Sequence, residues 1–201
     1  MSVIHPRTSA APAGGAPGAD VADGSATVVS RTGARALAVL RILFGLTFLW
    51  AFLDKLLALG FSTGRDAATG AVDRFSDAAW VNGGSPTAGF LGNAADGPFT
   101  GLYHAIAGSA WADALFMLGL LGIGVSLTLG VANRLGAASG VVLYVLMWTV
   151  VLPPETNPLL DDHILGAATL VVLGLLCAGD TWGLGSRLSR HHLVQRYPVL
   201  R

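Results

Sequence analysis

The chain has 201 residues, of which 53% are hydrophobic and 12% are charged, and its formal net charge at pH 7 is zero. Because an average soluble domain is about 25% charged, this composition argues against a soluble globular protein, and the neutral charge argues against a nucleic-acid partner. The single cysteine, Cys177, excludes an intramolecular disulfide and therefore a dithiol mechanism within the chain.

Residues 1–33 are rich in Ala, Gly, Pro, Ser and Thr and carry no sustained apolar pattern. Such a segment cannot bury enough apolar surface to fold, so the sequence predicts a disordered cytoplasmic tail. The apolar run that follows is longer than the apolar region of a typical signal peptide. We therefore expect it to remain as a membrane anchor.

Four apolar stretches follow, at residues 37–59, 111–131, 135–152 and 159–178. About 20 helical residues cross the hydrocarbon core of a bilayer, and each stretch is close to that length. The connections between the last three stretches are short, so consecutive helices should be antiparallel. The sequence predicts an all-α, four-helix transmembrane bundle over residues 34–180 of a multi-pass protein of the cell membrane.

Basic residues are distributed unevenly along the predicted bundle. Nine of the twelve Lys and Arg residues lie on the side that would hold both chain ends, whereas Lys55, Arg65 and Arg74 lie on the other. Cytoplasmic segments carry such an excess, so the sequence predicts an N-in, C-in topology. Residues 60–110 would then be extracytoplasmic, and residues 181–201 would form a basic cytoplasmic tail that contacts anionic lipid headgroups.

The long outer loop contains two stretches with helical apolar spacing. The first covers residues 72–80 and the second begins at Pro98, a residue that favours the first position of a helix. Turn residues at 82–87 separate them. We expect two short amphipathic helices that lie on the outer leaflet as a lid over the bundle.

This topology places six ionisable side chains at the outer ends of the spans: Asp54, Lys55, Asp113, Asp161, Asp162 and His163. The loop would bring Trp80, Tyr103 and His104 to the same layer. Ionisable groups set into a membrane bundle are costly, so such a layer predicts a functional site. The alternative is structural, because acids at the start of a helix stabilise its N-terminus without any further role.

Arg41 lies about three residues inside the first predicted span and on nearly the same helix face as Lys55, about 21 Å away. The two cations could mark the ends of one cavity wall. Alternatively, the Arg41 side chain reaches back to the cytoplasmic headgroups.

An outer cavity with carboxylates, a histidine and aromatic walls suits the headgroup of a quinone, which needs hydrogen-bond donors and a proton acceptor when the quinol is oxidised. We assign His163, Asp162 and Asp113 to the catalytic set, with His163 or Asp162 taking the proton. The predicted quinone-binding set is Arg41, Lys55, Asp54, Asp161, Trp80, Tyr103 and His104. Haem or metal ligation by His104 and His163 is a weaker alternative, and we expect no metal site.

Several motifs run through the chain. They are Arg41-Ile42-Leu43-Phe44-Gly45 with Asp54-Lys55, Asn82-Gly83-Gly84-Ser85-Pro86-Thr87, the run from Asp113 to Leu120, and Met147-Trp148 through Leu152-Pro153-Pro154 and Asn157-Pro158 to Asp161-Asp162-His163. Together these segments, over about residues 35–200, resemble the DoxX family in its DoxD-like branch.

The resemblance implies a four-helix bacterial membrane protein and, for the DoxD branch, the membrane subunit of a thiosulfate:quinone oxidoreductase that works with a second subunit. The outer layer carries nine acids and three bases, so a dianion would need Lys55, Arg65 and Arg74 to converge, or a partner that adds positive charge. A non-catalytic scaffold that docks a redox or detoxification enzyme is the alternative, proton-coupled transport is a weaker one, and the oligomeric state is open.

Overall fold

The computed structural model describes residues 29–154, 157, 159–176, 178–188 and 192–197. Most of the predicted N-terminal tail, Cys177 and parts of the basic C-terminal tail lie outside these residues. The predicted all-α class is confirmed for the described chain, which contains helices and no β-strand, only an isolated bridge between Arg65 and Val72.

The described chain contains eight α-helices. They are α1 (Arg31–Leu57), α2 (Ala88–Asn93), α3 (Thr100–Ile106), α4 (Ala110–Leu129), α5 (Asn133–Val150), α6 (Asp162–Leu175), α7 (Gly185–Leu188) and α8 (His192–Arg196). Short 3-10 turns lie at Trp80–Asn82 and Ala178–Asp180. The four longest helices, α1, α4, α5 and α6, correspond to the four predicted stretches.

The helix ends differ from the predicted limits for local reasons. Helix α1 begins at Arg31, six residues before the predicted start at Leu37, because the Ser30 hydroxyl accepts the Gly33 N–H (3.1 Å) and caps the helix there. Helix α6 begins later than predicted because Asp161 is its N-cap, with a carboxylate that accepts the N–H groups of His163 and Ile164.

Helices α1 and α4 are long and apolar enough to cross a bilayer, by length and composition. Helix α6 is apolar but has only 14 residues. At 1.5 Å rise per residue, 14 residues span about 21 Å, which is less than the hydrocarbon thickness of an average bilayer.

Each long helix packs against the next one in the chain, α1 on α4, α4 on α5 and α5 on α6. We call the end that holds the connection 58–109 and the start of α6 the loop end, and the opposite end, with the start of α1 and the hairpin between α4 and α5, the terminal end. Between the two ends lies one apolar core, with Phe48, Met117, Leu120, Ile123, Leu127, Ala137, Leu170 and Leu173.

Close helix approach depends on small residues. A Cβ on Gly45 of α1 would meet the main chain of Thr128 on α4, and a Cβ on Gly136 of α5 would meet the Ser126 side chain. The hairpin between α4 and α5 is as tight as the sequence predicts, with Gly130 and Ala132 in the left-handed region at φ 66° and 49°.

Of the two helices predicted in the outer loop, the structure contains one. The helix expected over residues 72–80 is wrong: Val72 pairs with Arg65 in a bridge, and Phe75 adopts a left-handed φ of 58° that no helix contains. The helix expected after Pro98 is confirmed as α3. Helix α2 was not predicted.

Candidate functional site at the loop end

A cavity of about 620 Å³ lies at the loop end, between α1, α4, α5 and the outer loop. Its size falls within the range of about 300–1,000 Å³ that is usual for small-molecule sites. Most of its wall is apolar, and Lys55 is the one charged side chain among the residues that line it: Thr47, Phe48, Ala51, Lys55, Ser62, Thr63, Gly64, Ala78, Ser85, Pro86, Gly89, Phe90, Phe116, Leu120, Tyr144 and Met147.

Lys55 is connected to the buried carboxylate of Asp54 by two consecutive hydrogen bonds. Its Nζ donates to the Ser62 hydroxyl (3.1 Å), which donates in turn to Oδ2 of Asp54 (2.7 Å). Asp54, at 1% exposure, also accepts the main-chain N–H groups of Phe61, Ser62 and Thr63 at 2.9–3.1 Å. Asp54 therefore holds the turn 61–63 over the end of α1, and its oxygens are occupied by the protein.

Asp113 performs a similar task at the start of α4. Its Oδ1 accepts from the Ser85 hydroxyl (2.8 Å), the Thr87 N–H (2.9 Å) and the Thr87 hydroxyl (2.6 Å). Ser85 and Pro86 line the cavity, but Asp113 does not. Asp113 therefore positions the cavity wall and lies behind it rather than inside it.

Tyr144 of α5 connects the cavity to the predicted proton-accepting residues. Its ring packs edge-on against Phe48 and His163, with centroids 5.4 and 6.0 Å away. His163 Nδ1 lies 2.6 Å from Oδ2 of Asp161. Asp162 is exposed at the start of α6. His163 and Asp161 thus reach the cavity only through Tyr144.

The three loop residues of the predicted site do not line the cavity. Trp80 packs against the bundle core, and His104 is exposed on α3. Tyr103 is buried, and its hydroxyl pairs with the Thr149 hydroxyl at 2.5 Å at the end of α5. Trp80 and Tyr103 therefore contribute to packing in this structure.

Arg41 lies at the terminal end, and its placement in one cavity wall with Lys55 is corrected. Its side chain is fully buried and donates to five main-chain carbonyls. They belong to Ala178 (3.1 Å), Leu127, Thr128 (3.2 Å), Thr181 (3.3 Å) and Trp182 (3.3 Å). These carbonyls lie at the end of α4 and in the segment after α6, where no helical N–H follows. Arg41 therefore joins three segments and does not reach back to a lipid surface.

The sequence did not indicate Ser62 or Tyr144. Ser62 looks like an ordinary loop residue, and its role depends on a turn that folds back over Asp54. Tyr144 offered a weak signal, since it is the only tyrosine within the four predicted spans. A phenol in an apolar span needs a polar neighbour or a cavity.

No family model, no curated protein and no solved structure matches this chain.

Proposed function

We propose that the chain is a four-helix integral membrane protein whose loop-end cavity binds the headgroup of a quinone, as the membrane subunit of a quinone-linked oxidoreductase. The observation that carries the proposal is the cavity itself, in which one lysine and one tyrosine stand among aromatic walls.

The outward faces of the four long helices support membrane insertion. Large apolar side chains are exposed on each of them, including Leu43, Leu46 and Leu53 on α1, Leu115 and Leu118 on α4, Val142 and Leu146 on α5, and Leu165 and Leu175 on α6. A soluble protein rarely exposes contiguous apolar patches of more than a few hundred Å². Lipid would cover these faces without a polar coat.

The charges at the two ends support an orientation with the loop end outside. The described terminal end carries Arg31, Arg35, Arg41, Arg134 and Arg187, whereas the loop end carries Lys55, Arg65 and Arg74. The excess of arginine marks the cytoplasmic side. The cavity would then open near the outer leaflet, where a lipid-soluble quinone can reach it.

The chemistry of the wall fits a flat ring with two carbonyl acceptors. The hydrogen bond of Lys55 Nζ among the described residues goes to Ser62, so the three-donor ammonium retains capacity for a ligand. The Tyr144 hydroxyl is a second donor, and Phe48, Phe90 and Phe116 provide apolar surfaces for the ring. A bound quinone would take up two electrons and two protons when it is reduced, and the pair of His163 and Asp161 beside Tyr144 would pass a proton toward it.

The cations of the loop end support thiosulfate as the electron donor, which the DoxD resemblance adds to the proposal. Arg65 Nε donates to the Gly60 carbonyl (2.9 Å), and Arg74 Nε donates to the Leu59 carbonyl (3.1 Å). Lys55 binds Ser62 in the same segment. Three bases thus donate to residues 59–62, and Ser62 of this segment lines the cavity. This concentration of positive charge favours a dianion despite the acids of the loop.

The test is quinone binding by the purified protein in lipid nanodiscs, titrated with a substituted benzoquinone and followed by intrinsic fluorescence. We expect saturable binding that Lys55→Met weakens at least about tenfold, because a charged donor is lost. Arg35→Met, an exposed cation at the terminal end, is the matched control and should bind normally. Absence of saturable binding, or equal effects of both substitutions, would overturn the proposal and favour the scaffold.

A further inference from the structure

A second cavity of about 390 Å³ adjoins the first one on the side of α3, α4 and α5. We call the cavity at Lys55 the polar chamber and the second the apolar chamber. The two chambers have four lining residues in common, which form a partition between them: Pro86, Phe90, Phe116 and Met147. A ligand in the polar chamber is therefore one side-chain layer away from the apolar chamber.

Apart from the indole N–H of Trp111, a residue that is 60% exposed, the polar side-chain groups of the apolar chamber are two hydroxyls. Thr87 and Tyr103 are its hydroxyl-bearing residues, and both hydroxyls are already hydrogen-bonded, to Asp113 (2.6 Å) and to Thr149 (2.5 Å). The remaining wall is aliphatic or aromatic. Such a chamber suits a hydrocarbon chain, which has no hydrogen bonds to satisfy.

The rim of the apolar chamber lies on the outward face of the bundle. Leu102, Trp111, Leu115 and Leu146 line it and are 50–66% exposed. In the proposed membrane orientation, this rim faces lipid, close to the outer end of α4. A chain that leaves the polar chamber across the partition would therefore enter the bilayer here.

We propose that the ligand of the polar chamber is a quinone with a long hydrocarbon chain, and that the apolar chamber binds this chain and is the lateral entrance from the membrane. This inference rests on the proposed function, since it places the headgroup at Lys55. It adds that the protein selects chain-bearing quinones, and that Pro86, Phe90, Phe116 and Met147 separate headgroup from chain.

Asp113 has a positioning role in this arrangement. Its Oδ1 fixes Ser85 and Thr87 on both sides of Pro86, and Pro86 belongs to the partition. The carboxylate thus keeps the partition in place while remaining outside the polar chamber.

The experiment compares two ligands in nanodiscs, a benzoquinone with a methyl group and the same ring with a long alkyl chain. Each methylene that moves from water into an apolar site contributes about fourfold in affinity. In a nanodisc the chain starts largely from lipid, so we expect a much smaller total gain for the wild type, about tenfold. Ala112→Leu and Ile106→Phe fill the apolar chamber from α4 and from α3. Both variants should weaken binding of the long-chain ring about tenfold and change binding of the methyl ring less than about twofold.

Ala110→Leu is the matched control, because Ala110 is exposed and lines neither chamber. Equal weakening of both ligands, or no benefit from the chain in the wild type, would overturn the inference and leave the proposed function intact. If the methyl ring fails to bind the wild type, the proposed function fails first. If a long-chain alcohol displaces the long-chain ring as effectively as excess long-chain quinone does, the apolar chamber would be assigned to lipid acyl chains instead.

Discussion

Each end of the bundle has a cation of α1 that donates hydrogen bonds to the protein, fully buried at one end and half-buried at the other. At the terminal end, the Arg41 guanidinium donates to five main-chain carbonyls from two segments. At the loop end, the Lys55 ammonium donates to one side-chain oxygen and lines a cavity. Arg41 therefore stabilises the fold, whereas Lys55 retains donors for a ligand.

The carboxylates of the loop end explain why the Lys55 ammonium retains donors for a ligand. Asp54 accepts four hydrogen bonds from residues 61–63, and Asp113 accepts three from Ser85 and Thr87. Both acids are turned toward the outer loop. They fix the loop segments that cover the cavity, and Lys55 lines the cavity below these segments.

The largest expected effect is at Arg41. Arg41→Leu removes the donors of five buried or half-buried carbonyls, and we expect the free energy of unfolding to fall by about 3 kcal/mol or more. The measurement is reversible unfolding in detergent. Arg35→Leu, an exposed arginine on the same helix, should change stability by less than about 0.5 kcal/mol. Near-normal stability of Arg41→Leu would remove the distinction between the two ends.

The approach of α1 and α4 provides a second test at the terminal end. A Cβ at Gly45 would lie 2.5 Å from the Thr128 main-chain N, which cannot move without shifting α4. We expect Gly45→Ala to cost about 1–3 kcal/mol in thermal unfolding experiments. Gly122→Ala is the control, because an added Cβ there has no neighbour within 4 Å outside the adjacent backbone of its own helix. It should be as stable as the wild type, and equal losses in both variants would contradict this packing.

The sequence predicted the four long helices because each carries an apolar run that few soluble elements contain. It wrongly predicted a helix over residues 72–80, where the apolar spacing matches a helix but the bridge between Arg65 and Val72 and the turn bound by Asp54 determine the structure. Local pattern gives way to tertiary contacts there, as it often does in short segments.

The candidate site was predictable only in part, for the same reason. The predicted helix order groups Asp54, Lys55, Asp113, Asp161 and His163 at one end of the bundle, and these residues lie at the corresponding helix ends in the structure. The helix order does not predict the direction in which each side chain points. In the structure Asp54 and Asp113 do not line the cavity, whereas Tyr144 does. Arg41 shows the limit most clearly, since its partners are main-chain carbonyls that have no sequence signature.

Asp113 tests the loop end with a smaller expected effect. Asp113→Asn retains one neutral oxygen acceptor but loses the charge that strengthens three hydrogen bonds to Ser85 and Thr87. We expect a loss of about 1–2 kcal/mol in unfolding free energy. Asp162→Asn, at an exposed position, should stay within about 0.5 kcal/mol of the wild type. A reversed order of the two variants would mean that Asp113 does not hold the loop.

The smallest effect concerns Asp66, which lies in the exposed part of the same loop. The main-chain N–H and the hydroxyl of Thr69, both 2.7 Å from Oδ1, together with the N–H of Ala68, lower the pKa of the Asp66 carboxyl below its usual value. A lowered pKa stabilises the folded loop above the ordinary pKa of aspartate, and this contribution is lost as the pH falls through the lowered value.

Titration of the Asp66 carboxyl by carbon NMR should therefore show its transition at a lower pH than that of an unstructured aspartate. Thr69→Val removes the hydroxyl and keeps the main-chain donor. The transition should then move part of the way back toward the ordinary value. In the wild type, the protection factor of the Thr69 amide, taken relative to an unstructured amide at the same pH, should fall when the pH is lowered. Global stability and quinone binding should stay unchanged, because Asp66 is exposed and lines neither chamber. An unshifted transition in the wild type would show that the carboxylate does not hold this turn in solution.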